Sequence, residues 1–194
     1  MADTARRPAT IEDLDRTPAD GRVYEILGGS LEAQPRPRPS HSRAQSRLNG
    51  QLSDPFDAGR GGPGGWWLLT EPEVRRSQHD IVVPDVAGWR RERLARLPTN
   101  RPIDTPPDWI CEVVSPNDRG RDRVRKASLY LRAGIPHYWI LDTDARSLEA
   151  FAARAGAWRR SGGRTDGDTP RIPPFESIEL DISSLFPPLE SESG

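Results

Sequence analysis

Apolar residues in this chain gather in short runs bounded by glycine, proline and charge, the signature of many short strands with a few helices between them. Thr10 caps a predicted short helix over 11–15, and segments 23–27 and 30–33 flank Gly28 and Gly29 as a hairpin, an appendage ahead of the main fold. Pro35, Pro37 and Pro39 alternate with Arg36 and Arg38, which excludes helix and central strand there. The extended segment leads into Ser40, the predicted N-cap of a helix over 41–52.

Residues 54–65 are rich in Gly and Pro and read as loop, after which strand pieces fall at 66–70 and 73–75, broken by Pro72. A second strand is predicted over 81–89, then a charged, proline-containing surface excursion over 90–107 with a helical turn around 92–96. The apolar stretch 109–114 is the next strand. Residues 115–118 end it and open a helix over 121–133, which Gly134 and Pro136 terminate in the expected order. A strand over 137–141 follows, then a hairpin of 147–152 with 157–159 and an Asp181-capped turn reaching Phe186. The central order of helix, strand, strand, strand, helix, strand predicts an α/β (α+β) mixed sheet flanked by helices, with hairpin additions at both ends.

Composition adds boundaries. A chain of 194 residues suits one domain, with 1–22 and 188–194 expected as flexible or peripheral ends. Hydrophobic residues at 34% and charged residues at 29% describe a polar, loop-rich chain that still folds. The formal net charge of −1 gives no global attraction to phosphate, so any nucleic-acid contact must come from a local basic patch. The N-terminus carries no apolar signal region and no run approaches the ~20 apolar residues that span a bilayer, so the expectation is a cytoplasmic protein with no membrane partner. Cys111, a single cysteine inside an apolar run, excludes an internal disulfide and a cysteine-based zinc site and reads as a small buried hydrophobe. The stretch 59–65 lacks the Lys-Ser/Thr of a phosphate-binding loop.

Of the 28 basic residues, only Lys126 is lysine. Arginine is planar and weakly hydrated, whereas lysine is a compact ammonium that can sit close to a reacting group, so a lone lysine suggests a position where arginine fails. A coding bias that leaves one stray lysine is the alternative. Helix periodicity sharpens the point: Lys126 falls in the apolar arc with Leu129, Tyr130 and Ala133, while Arg121, Arg125, Ser128 and Arg132 take the polar arc.

Two carboxylates share its oddity. Asp85 lies within the apolar run 81–87 and Glu112 interrupts 109–114, and neither acid can be buried unless something cationic satisfies it. Two acids on adjacent core strands make a site for a hard divalent cation; the alternative is that each pairs with an arginine. With the cation activating water and Lys126 orienting it or offsetting developing charge, the set describes phosphodiester hydrolysis.

Pro84-Asp85, Glu112-Val113-Val114-Ser115-Pro116, Lys126-Ala127-Ser128-Leu129-Tyr130 and the run from Ala133-Gly134-Ile135-Pro136 through His137-Tyr138-Trp139-Ile140-Leu141-Asp142 resemble the Uma2 family of restriction-endonuclease-like proteins. The resemblance spans roughly 23–186 and is weaker but in order at Tyr24-Glu25-Ile26-Leu27-Gly28-Gly29-Ser30-Leu31. It implies the PD-(D/E)xK nuclease core, over 40–142 here, with Mg²⁺ or Mn²⁺ held by Asp85, Glu112 and the backbone carbonyl of Val113. This sequence departs from the simplest superfamily pattern, because Glu112-Val113-Val114 puts valine where the lysine would stand; the resemblance implies that Lys126 takes that role from the following helix.

Glu25, His41 and Gln45 are secondary candidates, since the first helix of such folds borders the cleft; surface or capping roles are their alternatives. Arg119, Arg121, Arg123 and Arg125 offer contacts to DNA phosphate, or else form a solvated helix start. The tryptophans read as core and Asp142 as turn chemistry. The leading expectation is a divalent-metal-dependent endonuclease acting on DNA, as a possible homodimer; a catalytically silent nuclease-fold binding or assembly protein is the alternative from another class. A third reading keeps Asp85, Glu112 and Lys126 purely structural.

Overall fold

The computed structural model describes residues 7–114 and 121–188, the side chains of 121–123 excepted. The expected ends before residue 7 and after 188, the turn chemistry of 115–118 and the side chains of Arg119, Arg121 and Arg123 lie outside the described residues.

The chain builds two sheets. Helix α1 (Ile11–Leu14) precedes the hairpin β1 (Tyr24–Leu27) and β2 (Ser30–Ala33). Helix α2 (Pro39–Leu52) runs on into a π-helical turn, Ser53–Asp57, and then β3 (Trp66–Thr70), β4 (Val74–Ser77), β5 (Asp80–Val82), β6 (Val86–Arg90) and β7 (Trp109–Val114) follow. Helix α3 (Arg121–Arg132), β8 (His137–Asp142), β9 (Ser147–Arg154), β10 (Ala157–Thr165) and a short 3-10 turn at Ser183–Leu185 complete the order. The main sheet is six-stranded in the order β10-β9-β8-β7-β6-β3, and the smaller one four-stranded in the order β2-β1-β5-β4.

Within the main sheet the sequence α2, β3, β6, β7, α3, β8 has the expected helix-strand-strand-strand-helix-strand order. Strands β7 and β8 are parallel and joined through α3, while the other neighbours are antiparallel. Several boundaries differ from the hydrophobic pattern. Helix α2 begins at Pro39 with Arg38, not Ser40, as its N-cap, because the fixed φ of proline suits the first helical position, and β9 and β10 run to Arg154 and Thr165, past the expected 152 and 159. Segment 81–89 is not one strand: Val82 pairs with Val74 in the small sheet, whereas Val86 pairs with Thr70 and Cys111 in the main one. Pro84 stands in the gap, where a residue without an N–H cannot continue a ladder. Residues 54–57, read as loop, instead extend α2, because Phe56 is buried against Phe175 with ring centroids 4.6 Å apart. The N-terminal hairpin is more than an addition, since β1 pairs with β5 at Ile26 and Ile81 and so helps form the small sheet.

Alternation along β7 divides the core. Trp109, Cys111 and Val113 pack under α2 with Ala44, Leu48 and Leu52, together with Phe175, Leu180 and Phe186 of the C-terminal segment. Ile110 and Val114 face the other way, toward Leu129 and Tyr130 of α3 and Leu27, Val74 and Val82 of the small sheet. The two helices therefore cover opposite faces of the main sheet. On the far side of the small sheet, Leu14 of α1 packs on Ile26 and Ile81. Among the described residues no helix is long and apolar enough to cross a membrane.

Candidate active site

Strand register brings the two suspected acids together. Strands β6 and β7 pair antiparallel with Val86 opposite Cys111, and Asp85 and Glu112 are the residues just beyond that pair. Glu112 turns to the face covered by α3, where Lys126 and Tyr130 meet it, whereas Asp85 is reached from α2 by His41.

Asp85 sits where the chain leaves the small sheet for the main one, and its carboxylate is held from two sides. Its Oδ2 accepts the Val113 N–H at 2.7 Å, and its Oδ1 lies 3.2 Å from His41 Nε2, from the first turn of α2. Its backbone carbonyl accepts from Gln45 Nε2 at 2.8 Å and from the Glu71 N–H at 3.1 Å. Gln45 also reaches Glu71 Oε1 at 3.3 Å, and Glu71 holds a left-handed φ of 49°. That conformation is unusual for a residue with a side chain and persists only where surrounding bonds dictate it.

Glu112 is buried, with 8% of its surface exposed. Its Oε1 accepts the Tyr130 hydroxyl proton at 2.5 Å and lies 3.6 Å from Lys126 Nζ. Burial pushes the Glu112 carboxyl up to about 8; Lys126 pulls in the opposite sense, and Asp85 adds to the rise. Tyr130 is itself raised well above the usual phenol range by burial and by the charge of Glu112.

Lys126 is 6% exposed, so the lone lysine faces inward. It stands one helical turn before Tyr130, and both meet Glu112. Its nearer partner is Glu25 of β1, at 3.2 Å from Nζ to Oε2. Glu25 is fully buried; Oε2 also accepts the Val83 N–H at 3.2 Å, and Oε1 accepts from Gln34 Nε2.

The fold thus gathers Asp85, Glu112, Lys126, Glu25, His41 and Gln45 at the seam between the sheets, with the Val113 N–H bound to Asp85. Arg125 points elsewhere: its guanidinium bonds Glu32 Oε1 at 2.8 Å and the Leu27 carbonyl at 3.0 Å, tying α3 to the hairpin. Two participants escaped the sequence pattern. Tyr130 had looked like an apolar-arc residue, although its i, i+4 spacing from Lys126 put it on the same face. Gln34 gave no signal, because its partner comes from the facing strand of the hairpin. Asp142 makes turn bonds, accepting the Asp144 and Ala145 N–H groups at 3.1 and 2.9 Å.

Among the described residues no group of three or more His, Cys, Asp or Glu side chains is arranged to hold a metal ion. The carboxylates of Asp85 and Glu112 are oxygen donors of the kind a hard cation takes, and Mg²⁺ needs few of them because it keeps several waters and substrate oxygens. The raised Glu112 carboxyl marks acids whose repulsion and desolvation a divalent ion would relieve.

Comparison with known proteins follows the same line. The Uma2 family model, described as "Putative restriction endonuclease", matches residues 11–183. A crystal structure from Anabaena variabilis ATCC 29413, described as a "putative nuclease belonging to DUF820", shares the fold with a TM-score of 0.71 at 23% identity, over 92% of this chain and 98% of that one. No curated protein matches the chain.

Proposed function

Because the chain belongs to the Uma2 family, we propose that it is a divalent-metal-dependent endonuclease that hydrolyses DNA phosphodiester bonds, with Asp85, Glu112 and Lys126 as its catalytic residues. The observation that carries this reading is the burial of the chain's lone lysine beside Glu112, 3.6 Å away, with Asp85 near enough for its charge to raise the Glu112 carboxyl. An ammonium kept from solvent among carboxylates is costly as structure and useful as chemistry.

Asp85, Glu112 and the Val113 carbonyl would hold Mg²⁺ or Mn²⁺. When bound, such an ion supplies a Lewis acid for the phosphate and lowers the pKa of an attacking water. The protein supplies the rest. Tyr130 orients the Glu112 carboxylate, and the Val113 N–H with His41 fixes that of Asp85. Gln45 anchors the Asp85 backbone so that both acids keep one geometry. Lys126 presents a compact positive charge where negative charge develops on the phosphoryl oxygens, a contribution that costs no reorganisation during the reaction. Arg121 and Arg125 are the proposed contacts to DNA phosphate, Arg125 by exchanging its bonds to the hairpin for the backbone of the substrate.

A second reading, a catalytically silent nuclease-fold binding or assembly protein, draws on the lack of a three-residue ligand cluster among the described residues. Incubating the protein with supercoiled and linear DNA in Mg²⁺ or Mn²⁺ separates the two. Cleavage by wild type that Asp85→Ala abolishes supports the nuclease; wild type and Asp85→Ala equally inert on all substrates, while wild type still binds the metal, supports the silent protein.

A further inference from the structure

We propose that Glu25 is a positioning residue: one carboxylate on the N-terminal hairpin fixes both the Lys126 ammonium and the end of β5 that leads into Asp85. The kinetic part of this proposal rests on the nuclease reading; the structural part does not.

Glu25 is fully buried, and both of its oxygens are turned into the protein. Oε1 accepts from Gln34, just past the adjoining strand β2, and Oε2 is shared between the Val83 N–H and Lys126 Nζ, each at 3.2 Å. Val83 lies two residues before Asp85, in the segment where the chain crosses from one sheet to the other. A single side chain therefore braces the lysine from α3 and the strand crossing that carries the acid. Lys126 lies closer to Glu25 than to Glu112, at 3.2 against 3.6 Å, so the nearer of these two carboxylates is the one on the hairpin. With its oxygens engaged in this way, Glu25 acts through its neighbours rather than on the substrate. The hairpin is thereby a wall of the site: bound to it, the lysine's long stem loses rotamers that would carry the charge away from Glu112.

The single lysine makes the test direct. In the 194-residue chain grown on ¹³C,¹⁵N-lysine, Lys126 gives the single set of lysine side-chain resonances. In the wild type its two ε-methylene protons are expected at separate shifts, as in an immobilised side chain. In Glu25→Gln they are expected to merge, with faster exchange of the ammonium protons. In the cleavage assay Glu25→Gln is expected to lower kcat roughly 10- to 100-fold with KM little changed, and Glu25→Asp to recover part of the loss. If Glu25→Gln does not fold, Glu25→Asp, which keeps the charge but withdraws it by one methylene, is expected to loosen the same resonance to a smaller degree. A folded variant whose Lys126 resonance matches wild type overturns the proposal, whatever happens to the rate. If wild type cuts no DNA, the nuclease reading falls while the lysine spectrum still decides the role of Glu25.

Discussion

Glu112 is the residue whose chemistry the fold disturbs most, and the disturbance sets a pH dependence. Burial raises its carboxyl from 4.5 to about 8, so the folded chain binds a proton over a range where the unfolded chain has released it. Stability from this group is complete below about pH 4.5 and is lost as pH rises through about 8. The melting temperature of the metal-free wild type is therefore expected to fall between about pH 5 and pH 9, and Glu112→Gln, which cannot ionise, is expected to flatten that part of the profile. Thermal melts across this range check the sign; a wild-type profile parallel to that of Glu112→Gln would mean that Glu112 is already ionised in the folded state. Mg²⁺, if held there as proposed, would work against the decline, because a cation binds the deprotonated carboxylate and gains affinity as the proton leaves. The misfit of this acid, of Asp85 and of Lys126 was legible in the sequence, since each is a charge written into an apolar pattern. The partners were legible only in part: Glu25 stood among the secondary candidates, whereas Tyr130 and Gln34 meet the site through helix packing and register that the chain order alone does not express.

At the scale of elements, β6 decides the geometry, because Asp85 immediately precedes it and it is squeezed between β3 and β7. Gly88 in its middle is there for space: a Cβ would meet Leu68 Cδ2 at 3.0 Å, Trp66 Cε3 at 3.2 Å and Trp109 Cε3 at 3.3 Å. Gly88→Ala is expected to cost about 1–3 kcal/mol by overpacking, read from the urea midpoint at unchanged slope. Destabilisation below about 0.5 kcal/mol would mean that the tryptophan layer is slack enough to absorb a methyl group. Helix α2, helix α3 and strands β3, β7 and β8 were legible because each has a clear period or clear stops, such as Gly134 after α3 at φ 74°. The division of 81–89 into β5 and β6 was harder, since both halves are apolar and only Pro84 marks the change of sheet. The π-helical extension to Asp57 was hidden by Pro55, and only the burial of Phe56 against the distant Phe175 explains it.

On the scale of the whole molecule, the two sheets meet at the site and are cross-braced there. Glu25 of the small sheet holds Lys126, Asp85 begins the strand that enters the main sheet, and Arg125 clips α3 onto the hairpin. A cation bound at this seam would engage groups that depend on both sheets, so its binding energy should be distributed rather than local. Binding to the folded state alone stabilises by about 2.7 kcal/mol when the free ion is at 100 times its Kd. Saturating Mg²⁺ is accordingly expected to raise the melting temperature of wild type and not that of Asp85→Ala. Amide exchange gives the finer reading: with Mg²⁺, protection should increase at Val113 in the main sheet and also at Val83, whose N–H is held by Glu25. Slowing at Val113 without slowing at Val83 would mean that the small sheet opens independently of the metal site, and that the hairpin is joined to the nuclease core without being energetically coupled to it.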